Sequence, residues 1–262
     1  MGKSPEGPPP PPTVQRLRLH YAKRGRLRFT SHRDFQRAFE RALRRAQVPI
    51  AYSAGFTPHP KVSYANAAPT GVASEAEYLE IGLARQCDPK QVAAALDEAL
   101  PDGFDVLEAV PAGPGSLADR LEASVWDIRL DGLEPARVAV AVAQFLAAPL
   151  VEVERMTKNG LRRFDARAAV VGARVAEDPD PFARGSEAAS EGCAILQVVV
   201  RHATPAVRPD DVLSGLRLVA DLMPPHPPRV TRLAQGPLDA GSGEVHDPLA
   251  PDRSGDGSVA LT

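Results

Sequence analysis

The order in which two apolar periodicities follow one another limits the fold of this chain more than any other feature. Between Arg16 and Ala22, the residues Leu17, Leu19 and Tyr21 alternate with Arg16, Arg18 and His20. That is the period-two pattern of a strand with one polar face. After a short loop (Lys23 to Arg26), Ser31 stands where a helix N-cap belongs, with Asp34 in the capping-box position. Phe35, Ala38, Phe39, Ala42, Leu43 and Ala46 then recur at helical spacing. The helix is expected to run to about Gln47 and to stop before Pro49. Short strands follow near 62–65 and 77–83. Asp88-Pro89 opens a second helix with Val92, Ala95, Leu96 and Ala99 inside, and 104–110 reads as a strand. The order is β-α-β-β-α-β, the ferredoxin-like arrangement.

The pattern then repeats. Strand periodicity returns at 123–130, a helix at 135–147, strands at 150–156 and around 167–175, an apolar strand at 193–201, a helix at 209–220 and a strand at 229–233. The expected architecture is α+β, with two tandem ferredoxin-like halves built on antiparallel sheets, residues 14–113 and 114–234. The polar, small stretch near 177–192 reads as a mobile insertion. The Pro-rich residues 1–13 and the Gly/Asp/Ser/Pro-rich residues 235–262 read as disordered ends.

At 44% hydrophobic residues the chain is able to fill a core, although aromatics are only 5% and leave the packing to Ala, Val and Leu. Two distant cysteines fit reduced thiols rather than a disulfide framework. The start lacks an apolar signal segment and no run approaches the ~18 apolar residues of a membrane span. A soluble cytoplasmic protein with no membrane role is expected.

Charge is distributed unevenly. Residues 14–61 hold twelve Lys/Arg against two Asp/Glu, a surplus of ten, while the whole chain is at −2 and the remainder therefore at −12. Such asymmetry points to an anionic partner, of which nucleic acid is the commonest. Arg33, Arg37, Arg41, Arg44 and Arg45 run along one side of the first helix, with few carboxylates among them to form i,i+4 ion pairs. Guanidinium forks match phosphate oxygens, so this row is the first candidate for RNA contact, enlarged by Arg28 and its neighbours Arg24 and Arg26. The loop from Tyr52 to Lys61 is the second. Tyr52 and Phe56 offer faces for unpaired bases, His59 and Lys61 hold polar or phosphate groups, and two prolines stiffen it. A rigid connection with Phe56 packed in the core is the plainer reading. The third is the basic turn around Lys158, with Arg162 and Arg163, which reads equally as a surface hairpin.

Motifs for other chemistries are missing. There is no CxxxCxxC, no phosphate-binding glycine loop and no metal-ligand spacing among the six histidines. His32, His59 and Asp165 are the only candidates for acid–base catalysis, which RNA cleavage is able to use without metal. Glu75, Glu77 and Glu80 read as an exposed strand face.

The run FTSHRDFQRAFERALRRAQVPIAYSAGFTPHPKVSYA, then GVASEAEYLEIGL, then the later TKNGLRRFDAR, resembles the radical-SAM-linked domain of unknown function over roughly 14–233. Members of that family occur fused to, or encoded beside, a radical SAM protein with a cobalamin-binding-type domain. Some relatives lie near ribosomal-protein and ribonuclease genes. The resemblance implies a free-standing member whose partner is a separate radical SAM protein. The iron–sulfur cluster and S-adenosylmethionine are then expected only in that partner, with no cofactor in this chain. The reading that follows is an RNA-binding accessory protein, more accessory than enzyme, for tRNA or rRNA modification or processing. The alternatives are a metal-independent RNA-processing or RNA-modifying enzyme, and a docking module for the radical SAM partner without RNA contact.

Overall fold

Leu17, Leu19 and Tyr21 are buried along one side of the first strand, and the first unit is assembled around that stripe. The computed structural model describes residues 11–158, 160–176 and 192–253. These form a mixed α+β protein whose described strand pairs are antiparallel. The chain divides into two units. One holds residues up to Arg120 together with those from Pro248 on, and the other holds Leu121–Asp247.

The first unit runs β1 (Gln15–Lys23), a 3-10 turn (Gly25–Phe29), α1 (His32–Arg45), β2 (Val62–Ala65), β3 (Ala73–Leu83), α2 (Pro89–Ala99) and β4 (Phe104–Pro111). Its strand order is β4-β1-β3-β2. The register sets Leu19 opposite Leu79 and Leu17 opposite Ile81, so one face of the sheet is aliphatic. Phe35, Phe39, Ala42 and Leu43 of α1 and Val92 and Leu96 of α2 bury themselves on it. The Phe35 ring is the hub, stacked on Tyr21 at 4.7 Å and meeting Phe104 edge-on at 4.8 Å. Ser31 caps α1 by accepting from the Asp34 amide at 3.2 Å. Just past the helix, Gln47 takes φ 52°, the left-handed conformation that closes helices.

On the opposite face, alternation places Arg18, His20, Tyr78, Glu80 and Val110. Neither α1 nor α2 covers this side, yet Arg18 is wholly buried. Its Nη1 donates to both carboxylate oxygens of Asp252, at 2.9 and 2.8 Å. Its Nε donates to Glu80 at 3.1 Å, and its Nη2 to the carbonyls of Gly113 at 3.2 Å and Gly115 at 2.5 Å. Asp252 also accepts from both terminal nitrogens of Arg120, at 2.8 and 3.2 Å, and from the Gly113 amide at 3.0 Å. A Cβ on Gly113 would lie 2.5 Å from that carboxylate, so only glycine permits the approach. Burial alone would raise the Asp252 pKa, but the hydrogen bonds from Arg120 and Arg18 hold it below the ordinary carboxylate range.

The segment that carries Asp252 was expected to lie in a disordered tail. Instead a strand ends at Gly236, Leu238 and Val245 form a bridge, Leu249 is fully buried, and a helical turn spans Ala250–Arg253. The segment lacks apolar periodicity because it is held by buried polar pairing rather than by a stripe. Residues 254–262 and 1–10 lie outside the described residues, as does the expected insertion at 177–192 apart from Gly192. Glu75, Glu77 and Glu80 are likewise not an idle exposed face. Glu75 binds Arg24 at 2.8 Å, Glu80 binds Arg16 and Arg18, and the buried Glu77 accepts from the Ala68 amide at 2.9 Å.

The second unit runs β5 (Ala123–Asp131), α3 (Pro135–Ala147), β6 (Glu152–Thr157), β7 (Gly160–Asp165), β8 (Val170–Val175), β9 (Cys193–Arg201), α4 (Pro209–Ala220) and β10 (Arg229–Gly236). Its main strand order is β10-β5-β9-β8. Helices α3 and α4 meet at Gly215, where a Cβ would fall 2.6 Å from the Phe145 ring and 3.0 Å from Val151. The strand expected at 150–156 does not join this sheet. It pairs with β7 in a separate two-stranded hairpin, because the segment 160–165 that follows the turn alternates as well and is its nearest partner. Near the start of β5, the His202 ring bridges Leu121 and Ser124. Its Nδ1 donates to the Leu121 carbonyl at 2.6 Å, which leaves Nε2 to accept from the Ser124 hydroxyl at 2.7 Å.

Two outcomes follow. Replacing Asp252 by Ala leaves Arg18 a buried cation short of its main counter-charge and is expected to lower stability by about 3 kcal/mol or more, measured by denaturant melts. A change under about 1 kcal/mol would refute the clamp. Burial, and secondarily the charge of Arg232, hold the His202 ring below its ordinary pKa of 6.5 against the opposing Leu121 hydrogen bond. The unfolded chain therefore takes up a proton that the native ring resists. This stability is complete above pH ~6.5 and declines as pH falls below it. Melting temperatures between pH 8 and pH 5 should fall, and His202→Gln should flatten that slope.

Candidate nucleic-acid interface

Four of the ten arginines in the basic block, Arg16, Arg18, Arg24 and Arg45, are committed to the fold. Arg18 is in the Asp252 clamp, Arg16 pairs with Glu80 at 3.2 Å, and Arg24 is held by Glu75 and by Asp105 at 2.6 Å. Arg45, placed by sequence on the contact row, reaches the last carbonyls of α2 at Ala99 and Glu98 and satisfies the orphan acceptors of that helix end. Arg37 stands 3.8 Å from Asp34, with both side chains exposed, a pair that adds little. Arg33, Arg41 and Arg44 are exposed and make no ion pair or hydrogen bond among the described residues.

The row follows from the helix itself. Phe35, Phe39 and Ala42 point into the core, and a residue two positions from each of Phe35 and Phe39 lies about 200° away around the axis. Arg33, Arg37 and Arg41 therefore share the outer face, a turn apart at about 6 Å. Arg28 sits before the helix with its guanidinium 4.6 Å from the ring of Phe29, and Phe29 is 60% exposed.

The loop from Tyr52 to Lys61 is a narrow hairpin. Lys61 donates its amide to Ala51, Tyr52 bridges Pro60, the Ser53 amide donates to the His59 carbonyl at 2.9 Å, and the His59 amide donates to the Ser53 hydroxyl at 3.0 Å. At its tip Gly55 has φ +136°, and Phe56 beside it is 71% exposed rather than packed in the core. His59 is exposed, and the Lys61 ammonium donates to Thr13 at 2.8 Å. The loop meets β3 at Gly82, whereas Arg24 to Arg28 follow the other end of β1, which pairs with Ser74. Nine strand residues separate the two ends, about 30 Å. The candidate surface of the first unit is therefore elongated, with α1 as its cationic part.

In the second unit Lys158 and Arg162 are exposed, and Arg163 pairs with Glu154 at 2.5 Å. Two of the three catalytic candidates, His32 and His59, belong to the first unit and Asp165 to the second. His32 contacts the Gln36 side chain at 3.0 Å and the edge of Tyr64 at 5.0 Å, and no contact among the described residues joins it to His59. Asp165 accepts from the amides of Val151 at 3.0 Å and Arg167 at 2.9 Å, which makes it a turn brace. Burial, then the charge of Glu40, push the Tyr64 hydroxyl well above its usual pKa, so it stays protonated. Among the described residues no group of three His, Cys, Asp or Glu is arranged to hold a metal, and no helix is long and apolar enough to cross a membrane.

Sequence reasoning missed β7 and the exposed tip that it shares with β6. The signal was present as alternation on both sides of Lys158-Asn159-Gly160. If the outer row serves contact rather than folding, Arg33→Ala and Arg41→Ala should change stability by no more than about 0.5 kcal/mol, while Arg24→Ala costs more. Urea melts of the three variants separate these outcomes.

A family model described as "Uncharacterized protein conserved in bacteria (DUF2344)" matches residues 16–209. No curated protein matches the chain. Among solved structures it is similar to the first two RRM domains of the yeast poly(U)-binding protein Pub1, at 10% identity and a TM-score of 0.20, over 83% of this chain and 98% of that one. With the family model spanning most of the residues from β1 to the start of α4, the chain belongs to the DUF2344 family of proteins conserved in bacteria.

Proposed function

We propose that this protein is an RNA-binding accessory protein that works beside a separate radical SAM enzyme, in tRNA or rRNA modification or processing. In this reading the two strand orders, β4-β1-β3-β2 and β10-β5-β9-β8, are tandem ferredoxin-like halves. The cluster and S-adenosylmethionine reside in the partner. One observation carries the RNA part: Arg33, Arg41 and Arg44 are exposed on the outer face of α1 without a fold partner among the described residues, while Arg16, Arg18, Arg24 and Arg45 of the same block are taken up by the fold. A row of guanidiniums with no internal counter-charge suits a phosphate backbone.

The loop supports the same reading, since Phe56 at its tip offers an exposed stacking face and the exposed His59 and Lys61 lie on its returning side. The sheet itself is unavailable as a platform. On the side of the first unit's sheet away from α1 and α2, Arg18, Tyr78 and Val110 are buried, and His20 stacks on Tyr78 at 4.7 Å. Contact is assigned to α1 and the loop, with Lys158, Arg162 and Arg163 as a second site.

The test is crosslinking in cells with sequencing of bound RNA, comparing the wild type with Arg37→Glu/Arg41→Glu/Arg44→Glu. One RNA class should be enriched and lost in the variant. On that RNA in vitro, the variant should reduce the slope of log affinity against log salt by about 2. No enrichment, together with co-purification of a radical SAM protein that survives nuclease and high salt, would overturn RNA binding in favour of protein docking.

A further inference from the structure

The β6–β7 hairpin stands apart from the main sheet of its unit, and its two ends differ in kind. Its root is fixed. Val153 and Phe164 face each other across the strands and are buried. Arg155 lies over the Phe164 ring at 4.8 Å, donates to Asp211 at 2.6 Å and reaches the Ala206 carbonyl at 3.1 Å. Towards the turn the burial stops. Met156 and Leu161 are direct cross-strand partners and are 72% and 56% exposed.

Cross-strand partners hold their Cβ atoms about 5 Å apart, so these two side chains make one apolar tip. A single exposed aliphatic side chain needs no explanation. Here two are paired at the end of an arm whose root is braced, and the rim is cationic. On their own face, Glu154 and Arg163 neutralise each other at 2.5 Å. Lys158 at the turn and Arg162 on the opposite face are exposed and meet no carboxylate among the described residues. A surface that is apolar at the point and positive around it is complementary to nucleic acid, where base faces lie inside a rim of phosphates. The deep, narrow major groove of an RNA helix does not admit such an arm. The tip must meet bases that are already unstacked, at a bulge, a loop or the end of a stem.

We propose that the β6–β7 hairpin places Met156 and Leu161 against the base faces at an unpaired position of a structured RNA, with Lys158 and Arg162 on the flanking phosphates. This rests on the RNA-binding reading above and names its substrate class: a stem interrupted by unpaired nucleotides, probed at its irregularity by the hairpin.

The experiment uses the full chain, a stem-loop RNA with a one-nucleotide 2-aminopurine bulge, and the same stem fully paired. The wild type should bind the bulged RNA about tenfold more tightly than the paired one, a stacking-sized difference, and should change the 2-aminopurine fluorescence. Met156→Ser/Leu161→Ser should keep its melting temperature and its affinity for the paired stem while losing both the preference and the fluorescence change. Wild type that binds both RNAs equally with no fluorescence change, or a hairpin variant indistinguishable from wild type, overturns the inference and leaves RNA binding intact. Absence of binding to either RNA at low salt overturns the inference together with the reading it rests on. Pelleting with phosphatidylglycerol vesicles that the same double variant abolishes, without RNA binding, would assign the tip to a membrane surface instead.

Discussion

A guanidinium in the middle of a sheet face, with every nitrogen removed from water, is the constraint on which the first unit depends. Arg18 sits on β1 between the two strands that flank it, so nothing on that side is able to pack until its charge is answered. Asp252 and Glu80 answer the charge, and the carbonyls of Gly113 and Gly115 take the remaining donors. Pairs of this kind add little net stability over an apolar core of equal volume, but they tolerate no partial removal. Their effect is to specify which segment lies on the face. An apolar stripe would accept many neighbours, whereas a fork with fixed donors accepts a carboxylate in one place.

The same accounting separates folding from contact in the basic block. Ten surplus charges within 48 residues look, as composition, like one binding surface. Resolved residue by residue, Arg16, Arg18 and Arg24 neutralise acids of β3, β4 and the returning chain, and Arg45 terminates α2. What remains is the outer face of α1, the exposed Arg26, Arg28 on its exposed ring, and the loop tip at the far end of the sheet. A phosphate chain laid along that surface would meet guanidiniums on the helix before it met an aromatic face, so affinity and selection of unpaired bases would come from different places.

How much was legible in sequence depended on the range of the interaction. Local periodicity announced β1, α1, β2, α2, α3, β9 and α4 within a residue or two, because side-chain alternation and capping are written in neighbours. Ser31, Asp88 and the prolines at 89, 135 and 209 mark helix starts for the same reason. Pairings between distant residues left no local trace. Arg18 and Asp252 are 234 positions apart, and neither looks different from a surface residue. The glutamates of β3 were misread for that reason, as was the polar segment after Gly236. Among site residues, the outer row of α1 was visible because it is the complement of the apolar stripe, but Arg45 was assigned to it for its spacing while its side chain was already taken. The β6–β7 turn was noticed for its charge, and its apolar tip was not, since exposure of Met156 and Leu161 depends on which strand β6 chooses as partner.

The returning segment has a consequence for how the protein is made. Unit two is threaded between Arg120 and Pro248, and Arg120 itself donates to the Pro248 carbonyl at 2.9 Å, so the points where the chain leaves and re-enters unit one are tied together. On the ribosome, the leading half emerges with its helices and strands complete but with the Arg18 face still lacking Asp252, and it has to wait for more than a hundred further residues. Unit two has all of its own strands before that moment. Completion of the earlier half is thus timed by a segment made more than a hundred residues later, and a chain released before it would carry an open cationic face where the complete unit has a closed one.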